Sequence, residues 1–526
     1  MALAHICSNG LQLRIASRRL PLRSASPYVC LGPTKTRAFS SFPASFADVS
    51  QLEAQISPSL KKASSKSIST STSTANSSLP ENWEDEPNFN IKTFAELPSG
   101  RDFGLNQHMV EMNRDFTEAL RQVLWQFRAP IRYAFAYGSG VFPQSSASSS
   151  TSLSPHPNPP EAIKKWQQGG EKVIDFIFGV TYTQHWHSLN LTQHPDHYSF
   201  LGKAGSWAVS QVQDRFGAGV YFNPYITVNG TMIKYGIVNL DTLHRDLSTW
   251  DTLYLAGRLQ KPVKILRDDA RIRLANQVNL ISAVRTALLM LPAKFTERDL
   301  FHAIAGLSYM GDPRMSPATG GFENPHKIAN IVTHNLRNFR RLYNPLLDTL
   351  PNVVHADSQC KAPGWELDVP PGVDIKMEQD MDPVKRGNMV RRLPKAFREK
   401  IYFSYQRQYG ISGSEYKKML EESTDEDEKS FKRRQGGDFD RRIAGENNLK
   451  EKVSQAVRDT VKWPSTVQSI KGLVTAGPTR TYRYLSEKWS KGKEGKNDGE
   501  TPQAMRPAPT SNLVLGAEAR YALSIC

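Results

Sequence analysis

Between Tyr133 and Val180 the chain twice condenses into short apolar runs, each bounded by residues that end regular structure. "YAFAYGSGVF" (Tyr133–Phe142) opens with aromatic and small apolar residues and closes in Gly138-Ser139-Gly140. "KVIDFIFGV" (Lys172–Val180) is rich in branched and aromatic residues. Runs of this length and content predict buried strands, and "GVYFNPYITV" and "TMIKYGIVNL" predict two more. Elsewhere the apolar spacing becomes helical. "NQHMVEMNRDFTEALRQVLWQF" precedes the first strand, "LHRDLSTWDTLYLAGRLQKPV" follows the fourth, and "ARIRLANQVNLISAVRTALLML" runs to Pro292. "TERDLFHAIAGLSYMG" starts like a capping box and stops at glycine. The pattern predicts an α+β chain, with strands and helices over 91–267 and a second, mainly helical domain over 268–354.

Other stretches lack that pattern. Residues 58–80 are low-complexity, and 40–90 are read as a disordered linker. The Ser/Pro-rich residues 144–170 read as an insertion, and the Pro- and charge-rich residues 355–445, with "EESTDEDE", as an insertion or poorly ordered linker. Residues 446–489 are amphipathic, and 490–526 read as a flexible tail. In the amphipathic segment Leu449, Val453, Ala456, Val457, Thr460 and Val461 share one helical face, which Val467, Ile470, Leu473 and Val474 resume beyond Trp463. Lys450, Lys452, Arg458, Lys462 and Lys471 supply positive charge, and Pro464 is expected to divide the segment into two short helices. The expectation is a helix lying among the headgroups of an anionic membrane.

Charge agrees with an acidic partner. The 526-residue chain carries a formal charge of +16, which suits nucleic acid, an anionic membrane or a phosphorylated substrate. Residues 1–47 contain no Asp or Glu, while Arg14, Arg18, Arg19, Arg23, Lys35 and Arg37 are basic and serine is frequent. That describes a mitochondrial transit peptide, with cleavage expected after Phe39. Four cysteines without metal-site spacing suit a reducing compartment. No run reaches the ~18 apolar residues of a membrane span.

A Gly-Ser turn after one strand and an Asp inside the next resembles the polymerase-β type of nucleotidyltransferase. There the Gly-Ser backbone cradles a triphosphate and strand carboxylates hold Mg²⁺ against it. Asp175 is the candidate carboxylate, and burying it between Ile174 and Phe176 needs a compensating partner. The superfamily pattern places a second carboxylate two residues on, where this chain has Ile177. Asp246 and Asp241 are candidates for a further metal ligand, or else helix caps. "HWHSLN" and "PDHY" bring His185, His187, His194 and His197 close in sequence without a zinc spacing. His187 and His197 are read as donors to phosphate or as packing residues. Lys234, followed by Tyr235 in "IKYG", and Arg258, Lys261 and Lys327 are candidate phosphate contacts or surface charges.

Several blocks, "YAFAYGSGVF", "IDFIFGV", "HWHSLNL", "HYSFLG", "GAGVYFNP", "IKYGIVN" and "LYLAGRLQKPVKIL", occur in the order seen in the mitochondrial phosphatidate cytidylyltransferase family, also called translocator assembly and maintenance proteins. The resemblance covers about Phe103 to Leu347. It implies a Mg²⁺-dependent enzyme that makes CDP-diacylglycerol and pyrophosphate from CTP and phosphatidic acid. It would work as a peripheral protein on the matrix side of the inner membrane, supplying cardiolipin synthesis on a cardiolipin-containing surface, with no nucleic-acid partner. Within it Asp175, Lys234 and His187 are expected to be catalytic. Gly138, Ser139, Gly140, His197, Tyr235, Arg258, Lys261 and Lys327 are expected to bind the nucleotide, and Asp175 and Asp246 to hold the metal. The alternatives are a mitochondrial RNA nucleotidyltransferase and a non-catalytic, membrane-associated assembly factor.

Overall fold

Five strands form the sheet that carries the glycine turn: β1 (Tyr133–Tyr137), β2 (Ile174–Val180), β3 (Val220–Val228), β4 (Thr231–Asn239) and β5 (Lys264–Arg267). Their order is β3-β4-β2-β1-β5, with β2 and β4 parallel and every other neighbouring pair antiparallel. The computed structural model describes residues 106–144, 156–168, 172–315, 324–361, 364–370, 372–422, 437–483 and 486. The expected transit peptide, linker and tail lie outside them.

Side chains alternate across the strands with a period of two. Tyr133, Phe135, Ile177, Val220, Phe222 and Val238 face one core. Ala134, Ala136, Phe176, Phe178, Tyr221, Ile233, Tyr235 and Ile237 face another. The second core is closed by α1 (Arg114–Trp125), α2 (Thr183–Gln193) and α3 (Gly205–Arg215). The Asn113 side chain caps α1 by accepting from the Asp115 and Phe116 N–H groups.

The first core runs without interruption into α4 (Leu240–Thr249), α5 (Ala270–Met290), α6 (Glu297–Gly306), α7 (Lys327–His334) and α8 (Leu336–Leu347). The expected capping box of α6 forms between Thr296 and Asp299. The fold is α+β, but the helical region is not a separate body, because it shares its core with β1, β2 and β3. Nor is it wholly helical. β6 (Lys294–Thr296), β7 (Val353–His355) and β8 (Lys376–Gln379) make a small antiparallel sheet in the order β6-β8-β7.

The reading of 355–445 as a linker is corrected over its described part. β8, α9 (Pro383–Arg391), α10 (Lys395–Tyr409) and α11 (Asp438–Ala444) belong to the body, and Met377, Val390, Phe397, Ile401, Tyr402 and Tyr405 are buried in the same core. The charge that suggested a linker is internal. Arg386 donates to Leu289 O at 3.2 Å, Arg391 lies 3.6 Å from Asp440, and the Tyr402 hydroxyl donates to Asp440. Buried cations satisfied by carbonyls and a carboxylate look like solvated charge in composition alone.

Part of the 144–170 segment read as an insertion is described, from residue 156 to residue 168. Residues 156–168 fold onto the sheet: Asn158 N–H donates to Gly230 O at 3.0 Å, His156 Nδ1 accepts from Met232 N–H at 2.8 Å, and Trp166 stacks on Phe116.

The last helix, α12 (Leu449–Ala476), passes through Pro464 as one 28-residue element rather than two. Val461 and Ser465 are buried on either side of the proline, so packing holds the axis where one backbone hydrogen bond is lost. Leu449, Val453, Ala456, Val457, Thr460 and Val461 are all buried against the protein's own core, so this first half is not a membrane face. Among the described residues no helix is long and apolar enough to cross a membrane.

Candidate active site

The register of β1, β2 and β4 builds the site. Tyr137 stands opposite Asp175, and Asp175 opposite Lys234, so the three occupy one row across neighbouring strands. Asp175 and Lys234 pair at 3.4 Å, both partly exposed. Lys234 Nζ also lies 4.7 Å from the centre of the Phe222 ring, which fixes the stem of the side chain on that face.

The chain turns immediately after Tyr137. Gly138 has φ +82°, and a Cβ there would sit 3.0 Å from Asp175 Oδ2. The Val141 and Phe142 N–H groups donate to Gly138 O at 3.0 and 2.8 Å, closing the turn. Among the described residues the Ser139 and Gly140 amides donate to no protein group, and two successive unpaired N–H groups beside a partly exposed carboxylate suit an anion bridged by a cation. Gly140 is needed for a second reason: a Cβ there would lie 2.5 Å from Val173 O, the backbone entering β2.

The turn is clamped from behind by residues the sequence pattern missed. Gln167 Nε2 donates to Gly140 O and to Lys172 O, each at 2.9 Å, and its Oε1 accepts from Lys172 N–H at 2.9 Å. Trp166 Nε1 donates to Val141 O at 2.9 Å. "KKWQQGG" looks like a loop tail; its one signal was a tryptophan inside a Ser/Pro-rich tract.

Cations line the adjoining wall. The Arg258 guanidinium lies 4.0 Å from the Tyr254 ring centre and 5.6 Å from that of Tyr137, and it donates to Tyr254 O. Lys261 donates to Gly257 O and, at 2.8 Å, to Ser308 Oγ. The Lys261 and Lys327 ammonium groups share the Tyr309 ring, at 5.0 and 5.3 Å. Burial, helped by the charges of Arg258 and Lys327, lowers Lys261 to about 7. Burial raises the Tyr137 hydroxyl; Arg258 and Lys234 oppose that and Asp175 adds to it. A crowded, partly dehydrated ammonium group such as that of Lys261 is stabilised by a bound anion.

Four expected residues fall elsewhere. Asp246 is buried, and its carboxylate accepts from the N–H groups of Thr252, Leu253, Leu255 and Ala256 and from the Thr252 hydroxyl, at 2.8–3.0 Å. Its oxygens are occupied as the anchor of the loop leading to Arg258, so it does not serve as a metal ligand. Tyr235 is one residue from Lys234 and therefore points to the opposite side of the sheet. His187 and His197 are buried there with it. His187 pairs with the Tyr198 hydroxyl and Gln213 Oε1, each at 2.8 Å, and His197 pairs with the Tyr235 hydroxyl at 2.7 Å. Burial lowers both imidazoles to about 4, with the Gln213 hydrogen bond opposing it at His187 and His194 reinforcing it at His197. They are neutral packing residues, with the sheet between them and Asp175. Asp241 is exposed, 3.6 Å from Arg271, and His185 is exposed on α2.

His194, Asp196 and His197 offer ligand atoms within 4.8 Å of one another. The two imidazoles stack nearly parallel, 4.3 Å apart, so their lone pairs do not converge on one ion. Among the described residues at the glycine turn Asp175 stands as a single carboxylate, with Ile177 buried beneath it. Mg²⁺ commonly takes one or two protein carboxylates and completes its shell with phosphate oxygens and water, so Asp175 beside a phosphate cradle fits that ion.

Comparison with known proteins bears on the same residues. The family model described as mitochondrial phosphatidate cytidylyltransferase matches residues 120–491. Proteins named mitochondrial phosphatidate cytidylyltransferase are similar to this chain from fungi to mammals. The one from Saccharomyces cerevisiae is 44% identical over 278 residues, 52% of this chain and 65% of the relative. That from Schizosaccharomyces pombe is 33% identical over 401 residues, 76% and 90% of the two chains. That from Mus musculus is 34% identical over 374 residues, 71% and 94%.

Proposed function

The chain belongs to the mitochondrial phosphatidate cytidylyltransferase family, and we propose that it forms CDP-diacylglycerol and pyrophosphate from CTP and phosphatidic acid at the Gly138–Asp175–Lys234 site. The observation that carries this reading is the juxtaposition of two amides unpaired among the described residues, one partly exposed carboxylate and a wall of half-buried cations. That arrangement is built for a polyphosphate.

A phosphate oxygen of phosphatidate attacks the α-phosphorus of CTP. A new P–O bond forms, the bond from the α-phosphorus to the α,β-bridging oxygen breaks, and pyrophosphate departs with the electron pair. Little covalent chemistry is asked of the protein; catalysis is positioning and charge stabilisation. The Ser139 and Gly140 amides hold the triphosphate, and Arg258, Lys261 and Lys327 balance the charge that grows on the leaving pyrophosphate. Asp175 would hold Mg²⁺, which supplies charge neutralisation across the phosphates. Lys234 keeps the Asp175 carboxylate aimed along the strand row. No side chain acts as a nucleophile, so the Ser139 hydroxyl is dispensable. A peripheral position on the matrix side of the inner membrane, serving cardiolipin synthesis, follows from this reading.

The test is turnover by the purified chain of CTP with phosphatidate in vesicles, against CTP with RNA. Formation of CDP-diacylglycerol, lost in a folded Asp175→Asn variant, supports the proposal. Transfer to RNA alone, or wild-type turnover by Asp175→Asn, overturns it.

A further inference from the structure

The second half of α12 does not complete the core. Trp463 is 72% exposed and Ile470 58%, and Leu473 is also exposed. These three share one side of the helix, while Gln468 and Lys471 point inward. Gln468 Nε2 donates to Val220 O at 3.0 Å, and Lys471 Nζ donates to Phe216 O at 2.7 Å and Gln213 O at 3.3 Å, at the end of α3. The apolar side is therefore held outward by a fixed polar seam.

A second group of exposed aromatics borders it. Phe200 and Trp207, on "FLGKAGSW", are 61% and 62% exposed, and Phe216 is 55% exposed. The two groups abut. A Cβ at position 477 would lie 3.4 Å from Ser199 Cβ, Arg480 donates to His197 O at 2.8 Å, and the carbonyl of Phe216 receives Lys471. So Phe200 continues from the end of α12, and Phe216 lies along its flank.

We propose that these segments form one membrane-docking face of two parts: the outer side of α12 after Pro464, and the Phe200–Trp207 segment with Phe216 from the sheet unit. Its occupant is an anionic bilayer surface, an assignment that rests on the proposed lipid substrate. Charge supports it. From Thr460 to Ser486 the chain carries no Asp or Glu, Lys462 is exposed beside Trp463, and Lys203 is exposed between Phe200 and Trp207. Exposed tryptophan and phenylalanine beside lysine is the composition that sits at a headgroup boundary. The nucleotidyltransferase sheet would thus be held against the lipid by its own surface as well as by the terminal helix, fixing its orientation on the membrane.

The experiment is flotation of the full chain with vesicles of phosphatidylcholine containing cardiolipin and phosphatidate, and with phosphatidylcholine alone. A Phe200→Ser/Trp207→Ser variant leaves α12 intact, and Trp463→Ser/Ile470→Ser leaves the sheet unit intact. Each should lower the partition coefficient on anionic vesicles by about tenfold or more, with little retained on neutral vesicles at any ionic strength. Unchanged melting temperature and unchanged turnover of a short-chain, water-soluble phosphatidate would show that fold and active site are preserved. If the Phe200/Trp207 variant floats like wild type, the two-part face is overturned. If the variants abolish self-association in sedimentation while flotation is unaffected, the face is an interface between copies instead. Loss of short-chain turnover in the wild type would fail the proposed reaction without touching the flotation result.

Discussion

Gly138→Ala should damage catalysis far more than stability, and the structure allows both effects to be sized. Gly138 has φ +82°, where an L-residue with a Cβ costs about 1–2 kcal/mol. The new methyl would also meet Asp175 Oδ2 at 3.0 Å. That is tight enough to push the carboxylate by a few tenths of an ångström, because the carboxylate yields more easily than the turn. Strain of about 1–2 kcal/mol lowers the melting temperature by only a few degrees in a chain of this size. A misplacement of about 1 Å at a reacting centre can cost about 10²-fold, so a fraction of that shift predicts a loss of about tenfold in kcat.

Gly410→Ala is the matched control. It has φ +64° at the end of α10, and nothing lies within 4 Å of its Cβ position, so it introduces the backbone strain without the collision. Thermal melts and initial rates of CTP turnover on both variants decide the matter. Comparable destabilisation with a selective loss of rate in Gly138→Ala is the expected result. Equal rates in the two variants would refute the claim that Gly138 is needed for its closeness to Asp175.

Three further outcomes are expected. Lys261 is lowered to about 7 from an ordinary 10.5 by burial, Arg258 and Lys327, so above pH 7 the triphosphate must bind together with a proton. The Kd for CTP should rise by up to about tenfold per pH unit between 7 and 9, and Lys261→Met should flatten that slope in calorimetric titrations. The sign for stability is opposite: between about 7 and 10.5 the unfolded chain holds more protons at this position, so its contribution to the stability of the ligand-free protein rises with pH across that window. Asp246→Asn places an amide donor against N–H groups that a carboxylate now accepts, and should cost about 3 kcal/mol in chemical denaturation; a change below about 0.5 kcal/mol would refute the anchor role. Gln167→Ala frees the back of the glycine turn, and should raise the KM for CTP with a smaller change in melting temperature; an unchanged KM would show that the clamp is irrelevant to the nucleotide.

The residues around Asp175 were legible because a local pattern encodes them. An apolar strand, a glycine turn and a carboxylate in the next strand are each readable within ten residues, and strand register then places Lys234 beside them. The errors arise where geometry beyond the strand decides. Proximity in sequence put Tyr235 and the histidines with Lys234, yet a one-residue step on a strand reverses the face. Asp246 was grouped with the metal because carboxylates near a motif look alike in sequence, and only the four amides around it show that its charge is already used. In α9, α10 and α11 the buried cations hid a packed region from any reading by composition.

The last helix shows the same limit within a single element. Apolar residues at helical spacing say that one side avoids water, without saying what covers it. Before Pro464 the answer is internal, since Val453, Val457 and Val461 are buried by the core that reaches back to β1. After Pro464 Gln468 and Lys471 turn inward to backbone carbonyls, and the inward side becomes the polar one. Burying Lys471 is costly: desolvation lowers it to about 7, with Asp214 opposing. The cost is tolerable because the carbonyls of Gln213 and Phe216 gather at the negative end of α3, where an ammonium group is favoured. A helix that places its polar residues inward and its tryptophan and isoleucine outward has its apolar side turned away from the protein, which is the arrangement that the proposed docking on an anionic bilayer requires.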